Sequence, residues 1–223
     1  MQRRHLLACA PLMLLRPAWA AALSEGDANA GIRAALERGA AAAVASLGRT
    51  DGFFGNPLVK IELPSGLNSA AKLLRMTGQG GRVDELVLAM NRAAEAAVPV
   101  AKPLLVKAVR DMSVEDGVRI LRGGDDAATR FFETKTREPL FQQFLPIVTE
   151  ATRKVSLADK YNAVARKAAN VGLMKSEDAN AQHYVTQRAL DGLYLLIGEE
   201  EKKIRRDPVG SGSALLKKVF GAL

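Results

Sequence analysis

Cysteine is nearly absent from this chain: Cys9 is the only one in 223 residues, and histidine is confined to His5 and His183. With Cys9 inside a leader that is expected to be removed, neither a disulfide nor a thiolate metal site can form, and the core must stand on packing alone. Zinc or iron would need a cluster of His, Cys and carboxylate ligands that the sequence does not contain, so no metal and no cofactor is expected. A G-x-S-x-G elbow is missing as well, which leaves a Ser-His-Asp hydrolase without support. No Pro/Gly/Ser-rich linker divides the chain, and no internal repeat is present. What remains is one domain of about two hundred residues, nearly half apolar, large enough to bury a good core.

The first twenty residues have the form of an export signal. Arg3 and Arg4 precede the apolar run Leu6 to Leu15, and Ala18-Trp19-Ala20 places small residues where a signal peptidase reads them. That run is about ten residues, roughly half of what spans a bilayer, so residues 1–20 are expected to be a cleaved signal peptide leading to the periplasm. Arg3-Arg4-His5-Leu6-Leu7 also resembles the twin-arginine pattern, which leaves two export routes open. Arg3, Arg4 and Arg16 lie in the leader and no acid does, so the net charge of +8 falls to +5 for residues 21–223. That is a mild excess, and it argues against nucleic acid as a partner.

Helical patterning fills most of residues 21–223. Ile32, Leu36, Ala40, Ala43 and Leu47 recur at helical spacing before Gly48; Leu67 to Met76 is a short helix closed by Gly78, Gly80 and Gly81; Val83 to Val98 is a longer one stopped by Pro99. Pro103 and Pro139 are expected at first helical positions, and Pro146 is expected to kink or split the segment from Leu140 to Val155. Ser113 with Asp116, and Ser156 with Asp159, have capping-box spacing. Asp125-Asp126 begin a helix after Gly123-Gly124, and the last long helix runs from Asn180 to Arg206. The fold class is therefore all-α, a single-domain multi-helix bundle.

One stretch, TDGFFGNPLVKIELP from Thr50 to Pro64, departs from this pattern. Val59, Ile61 and Leu63 alternate with Lys60 and Glu62, the period of a half-buried strand, while Asp51-Gly52 and Gly55-Asn56-Pro57 are turn chemistry. It reads as a short extended strap over residues 50–64. Phe53 and Phe54 either plug the bundle or line the mouth of a ligand cavity.

TDGFFGNPLVKIELP, followed in order by MNRAAEAAVP, LRGGDDAATRFF, YVTQRALDGLY and EEEKKIRRDP, resembles the bacterial family catalogued as domain of unknown function 4197. The likeness covers essentially all of residues 21–223. It implies an exported, mostly helical protein of Gram-negative bacteria, and it brings no catalytic or binding residues to transfer.

Candidate functional residues come from the patterning itself. On the helix from Val83 to Val98, Asp84, Asn91 and Glu95 line one border of an apolar stripe; they are either a solvated edge, with Glu95 pairing Arg92, or the polar rim of an apolar groove. Asp125, Asp126 and Glu133 match no calcium loop and are explained by capping. His183 stands alone and reads as a helix surface residue rather than a general base. In the last helix Leu190, Leu193, Ile197 and Ile204 face the core with Thr186. Gly192 and Gly198, each costing about 1 kcal/mol in a helix interior, point to the close approach of another element. Glu199 with Lys203 and Glu201 with Arg205 read as a solvated charged face. Beyond Pro208, the tail places Lys217 and Lys218 between Leu215-Leu216 and Val219-Phe220, a short basic amphipathic segment suited to docking on the bundle or to an anionic membrane surface.

Three functions are compatible with these residues. The first is a non-catalytic binding module for an apolar or amphipathic ligand, with Phe53, Phe54, Asp84, Asn91 and Glu95 as ligand contacts and Lys217, Lys218 and Phe220 as membrane or partner contacts. An envelope protein-interaction module is the alternative. A carboxylate-based hydrolase comes last, because no convergent His, Cys or Ser signature accompanies the acids.

Overall fold

Caps, glycines and Pro99 divide the chain into helices close to where the sequence places them, whereas Pro139 and Pro146 do not. The computed structural model describes residues 25–153, 159, 161–162, 170 and 180–207. The helices are α1 (Glu25–Leu47), α2 (Asn68–Met76), α3 (Gly80–Ala97), α4 (Ala101–Arg110), α5 (Val114–Arg122), α6 (Ala127–Arg153) and α7 (Ala181–Arg206), with 3₁₀ turns at Ser65–Leu67 and Val98–Val100. No strand occurs among the described residues, and the fold is all-α. The leader 1–20, Ser156 of the second capping box, and the tail with Lys217, Lys218 and Phe220 lie outside the described residues.

Local chemistry explains most boundaries. The Ser113 hydroxyl accepts from Asp116 N–H at 3.0 Å while the Asp116 carboxylate accepts from Ser113 N–H at 3.1 Å, the reciprocal box expected at the start of α5. The Ser113 backbone N–H, helped by its hydroxyl, Arg119 and Lys135 and opposed by desolvation, holds the Asp116 carboxyl below its ordinary range. α7 is capped by the Asn180 side chain, which accepts from Gln182 and His183 N–H at 2.9 and 3.2 Å. α2 ends at Gly78, whose φ of 77° lets Gln79 N–H reach Leu74 O and Gly78 N–H reach Arg75 O. Gly80 and Gly81, expected to close α2, instead open α3. The chain needs only one left-handed residue to leave α2.

The prolines require a second correction. Pro139 does not open a helix and Pro146 does not split one; both lie inside the continuous α6. Buried residues recur at every fourth position from Ala128 through Phe132, Thr136, Leu140, Phe144 and Val148 to Thr152, and both prolines fall on the exposed side. The carbonyls they leave unpaired, of Lys135 and Gln142, belong to exposed residues where water can satisfy them. A step of four advances about 40° around a helix, so the buried stripe winds and meets different partners along its length. α6 accordingly packs against α3, α4, α5 and α7. Pro103, placed at a first helical position, stands third in α4, still within the turn whose N–H groups have no helical acceptor.

The core is one contiguous set of buried side chains drawn from α1, the strap, α3, α4, α5, α6 and α7, with Phe53, Phe132 and Phe144 fully buried. Each such ring contributes about 1.5–3 kcal/mol by burial. Arg33 of α1 donates to Arg110 O at 3.1 Å and to Met112 O, tying the carbonyl end of α4 to α1. Among the described residues α2 adds no buried side chain, and it packs chiefly on α3.

Candidate functional site

The strap keeps the alternation read from its sequence but not the strand. Val59 and Ile61 are buried and Leu63 packs against the core, while Glu62 faces out. Its backbone is satisfied by side chains of α3 and α7 instead of by a neighbouring strand. The Asn91 carboxamide accepts from Ile61 N–H and donates to Ile61 O, each at 2.8 Å, reproducing the two-way exchange of an antiparallel pair with one side chain. Its second N–H donates to Val87 O at 2.7 Å, and Asn91 is completely buried. One oxygen of Glu95 accepts from the N–H groups of Phe53 and Phe54 at 3.0 and 3.1 Å. Tyr184 of α7 donates its hydroxyl to Glu62 O at 2.9 Å.

Phe53 closes this clasp. Its ring fills the space above Gly192, where a Cβ would come within 2.7 Å of the ring. The glycine is therefore required by close approach, as its cost in a helix implies. At Gly198 the approach is looser: a Cβ there would lie 3.3 Å from the Thr129 hydroxyl of α6, a tight contact rather than an excluded one. Phe54 is half-buried beneath Lys60 and Arg92, whose charges lie 5.0 and 5.8 Å from its ring centre. Arg92 pairs Glu95 at 2.6 Å, as the sequence suggested, and reaches Asp51 at 2.7 Å. Those bonds, that to Glu95 first, raise the guanidinium above its ordinary range. Asp51 itself sits at φ 63°, the left-handed turn conformation that aspartate tolerates.

The candidate contacts thus divide. Phe53, Phe54, Asn91 and Glu95 converge, with the polar groups of Asn91 and Glu95 engaged by the strap backbone. Asp84 stands apart on the exposed border of α3, bonded to Arg75 of α2 at 2.7 Å. His183 lies edge-on to Phe141, with ring centres 5.4 Å apart. Among the described residues no three His, Asp or Glu side chains converge as metal ligands, and no helix is long and apolar enough to cross a membrane.

A second polar centre went unread in the sequence. Glu201 is buried rather than solvated: one oxygen accepts from Ala128 N–H at 3.0 Å, and the other accepts from Thr129 N–H and from the Thr129 hydroxyl, both at 2.9 Å. It caps α6 from α7, answering the free N–H groups and positive end of that helix. Arg205 donates to Glu201 at 2.8 and 3.1 Å and to Ile120 O at 2.8 Å, binding the end of α5 into the same knot. The signal was present, because Glu201 follows Ile197 by four and precedes Ile204 by three on the core stripe of α7. On the outer face Glu199 pairs Lys202 instead of the expected Lys203, which is taken by Glu200.

Beside this knot runs an apolar slot. Ile32, Leu36 and Gly39 of α1 form one wall, Ile120 of α5 and Phe132 of α6 another, and Ile197 and Ile204 of α7 a third; among the described residues Glu201 and Arg205 are the charged groups that line it. Its free room is about 30 Å³, the space of one or two water molecules. Elsewhere in the same layer, the buried Tyr194 hydroxyl meets Thr136 at 2.9 Å, and burial pushes it up to about 12.

Compared with known proteins, the chain matches no curated protein and no solved structure. The sequence pattern of one family, described as a protein of unknown function (DUF4197), matches residues 22–221, nearly the whole chain, and the protein belongs to that family.

Proposed function

We propose that this protein is a non-catalytic binding module for an apolar or amphipathic ligand, exported to the periplasm by its cleaved leader. The observation that carries the reading is the slot between α1, α5, α6 and α7, apolar along its walls and bordered by the Glu201–Arg205 pair. The strap is a structural clasp in this reading, since Asn91, Glu95 and Phe53 are already committed to it. About 30 Å³ does not admit a hydrocarbon chain, so the slot fills by displacement of a wall. α5 is the wall that yields: it is nine residues long, packs on α1 and α6, and is joined to α7 through the Arg205 bond to Ile120 O. The basic tail with Lys217, Lys218 and Phe220 supplies contact with an anionic membrane surface.

Native mass spectrometry of protein recovered from the periplasm tests the reading. An adduct lost on organic extraction, and an apolar fluorophore taken up by the extracted protein, are expected. A protein that carries neither overturns it. Lys217→Glu with Lys218→Glu should abolish sedimentation with anionic vesicles at low salt and leave the melting temperature unchanged.

An envelope protein-interaction module is the second reading, favoured by α2. Leu73 and Met76 are 62 % and 76 % exposed on the side of α2 opposite its half-buried Ala71 and Leu74. Replacing both by serine should leave folding intact and remove any cross-linked partner that the wild-type protein captures through this helix.

A further inference from the structure

We infer that α5 lays its outer face on an anionic membrane surface, with Val114 and Val118 entering the lipid boundary and Arg119 and Arg122 meeting the phosphates. The inference rests on the membrane contact proposed for the basic tail and gives that contact a second element, within the fold.

The apolar side of α5 is wider than the core that covers it. At 100° per residue, Ile120, Gly117, Leu121, Val114 and Val118 follow one another around about 160° of the helix. Ile120 and Gly117 are buried, Gly117 against Ile32 and Asn29 of α1, and Leu121 is half-buried. Val114 and Val118, one turn apart, are left 46 % and 38 % exposed. Valine is a middling helix former, so neither local propensity nor the core accounts for this pair.

The sector beyond the valines is cationic. Arg119 and Arg122 are exposed there, and Arg130 and Lys135 of α6 line a cleft of about 390 Å³ that they share with Arg119. Among the nearby acids, Asp116 is held by the Ser113 N–H and lies 3.8 Å from Arg119, and Asp126 is bonded to Arg130 at 2.6 Å. That leaves Glu115 as the acid set against Arg119, Arg122 and Lys135. Arg119 and Arg122 also answer the negative end of α5, but that reason does not extend to Lys135 or to the valines. Apolar side chains flanked by cations on one helix face are what an anionic interface takes up.

The tail begins at the same end of the protein. Arg205, in the last turn of α7, donates to Ile120 O at 2.8 Å, so the chain reaches Asp207 beside α5. Residues 208–223 contain Lys217 and Lys218 and no acid. Cations on both elements disfavour the tail as the cover of α5, whereas the phosphates of one surface answer both.

Tryptophan fluorescence reads the contact directly. Trp19 is the chain's only tryptophan and lies in the leader, so Val118→Trp in residues 21–223 puts the sole indole on the outer face of α5. Leu73→Trp is the control, on α2: that helix follows the strap end held by Tyr184, about 30 Å along α7 from Arg205. With phosphatidylglycerol vesicles at low salt the emission of Val118→Trp should shift to the blue. Phosphatidylcholine vesicles should leave it unchanged, and Leu73→Trp should respond to neither. Arg119→Gln with Arg122→Gln should weaken partitioning about thirtyfold and leave the helical circular-dichroism signal intact, because each cation at an anionic surface counts about fivefold. Sedimentation with no shift in Val118→Trp and full binding by the arginine variant would mean that the tail binds alone; this overturns the assignment to α5 and leaves the tail's contact standing. Emission already blue and shielded from iodide before vesicles are added would show the face covered by protein, and overturns it too. If the wild-type protein ignores phosphatidylglycerol vesicles, the tail's contact falls together with that of α5.

Discussion

Glu95 on α3 and Glu201 on α7 solve the same problem at opposite ends of the core. Each is a buried carboxylate that accepts from two consecutive backbone N–H groups of a distant segment, Phe53–Phe54 in one case and Ala128–Thr129 in the other. Each is balanced by an arginine one turn away on its own helix, Arg92 or Arg205. The surroundings differ. Arg92 is 38 % exposed and the strap is sealed by an aromatic ring, whereas Arg205 is 14 % exposed and the knot it forms borders an apolar slot. The same pairing thus holds the strap on α3 in one place and ties α5 and α6 to α7 beside the slot in the other.

Removing the carboxylates is the strongest way to break this comparison. Glu201→Ala strands two N–H groups and a hydroxyl at the start of α6 and takes the carboxylate from the half-buried Arg205, and should cost about 3–5 kcal/mol in urea unfolding. Glu95→Ala should cost less, about 2–3 kcal/mol, because Arg92 can rehydrate. Equal losses would erase the contrast. Asn91→Leu should cost about 1–3 kcal/mol, since it leaves Ile61 N–H and C=O buried without partners, and it should raise amide exchange at Ile61 specifically.

The glycines sharpen the difference between a filled and an unfilled site. Gly192→Ala forces a methyl group against the Phe53 ring and should destabilise by about 1–3 kcal/mol. Gly39→Ala meets only ordinary contacts and should stabilise by up to about 1 kcal/mol through helix propensity, measured by thermal melting. The smallest effect belongs to Asp116. Its folded pKa is depressed, so its contribution is fully present above the unfolded value of about 3.9 and fades as pH falls through the lower folded value. Asp116→Asn should therefore flatten that acid limb of the stability curve, and Ser113→Ala should cost about 1 kcal/mol at neutral pH.

Much of the clasp was legible in the sequence. The alternation of Val59, Ile61 and Leu63, the turn residues Asp51 and Asn56, and the cost of Gly192 each pointed to a strap packed close against a helix. The apolar border on α3 likewise singled out Asn91 and Glu95. What took their hydrogen bonds was not legible, because Asn91 meets Ile61 across 30 positions and Glu95 meets Phe53 across 42. Asp84 shared their border but not their fate, since only the C-terminal part of α3 lies under the strap.

Helix period, capping boxes and turn residues act within about four positions of one another, which is why the sequence by itself determined that the chain is helical, where α5 and α7 begin and that residues 50–64 are not helix. Whether a proline breaks a helix or a glutamate is solvated depends on which side of the helix meets another element. Pro139 and Pro146 are tolerated because the winding stripe of α6 turns them to water, and Glu201 is buried because Ala128, 73 positions earlier, offers it an unpaired N–H. Those decisions belong to tertiary packing, which alone brings a desolvated charge and its distant partners to one place.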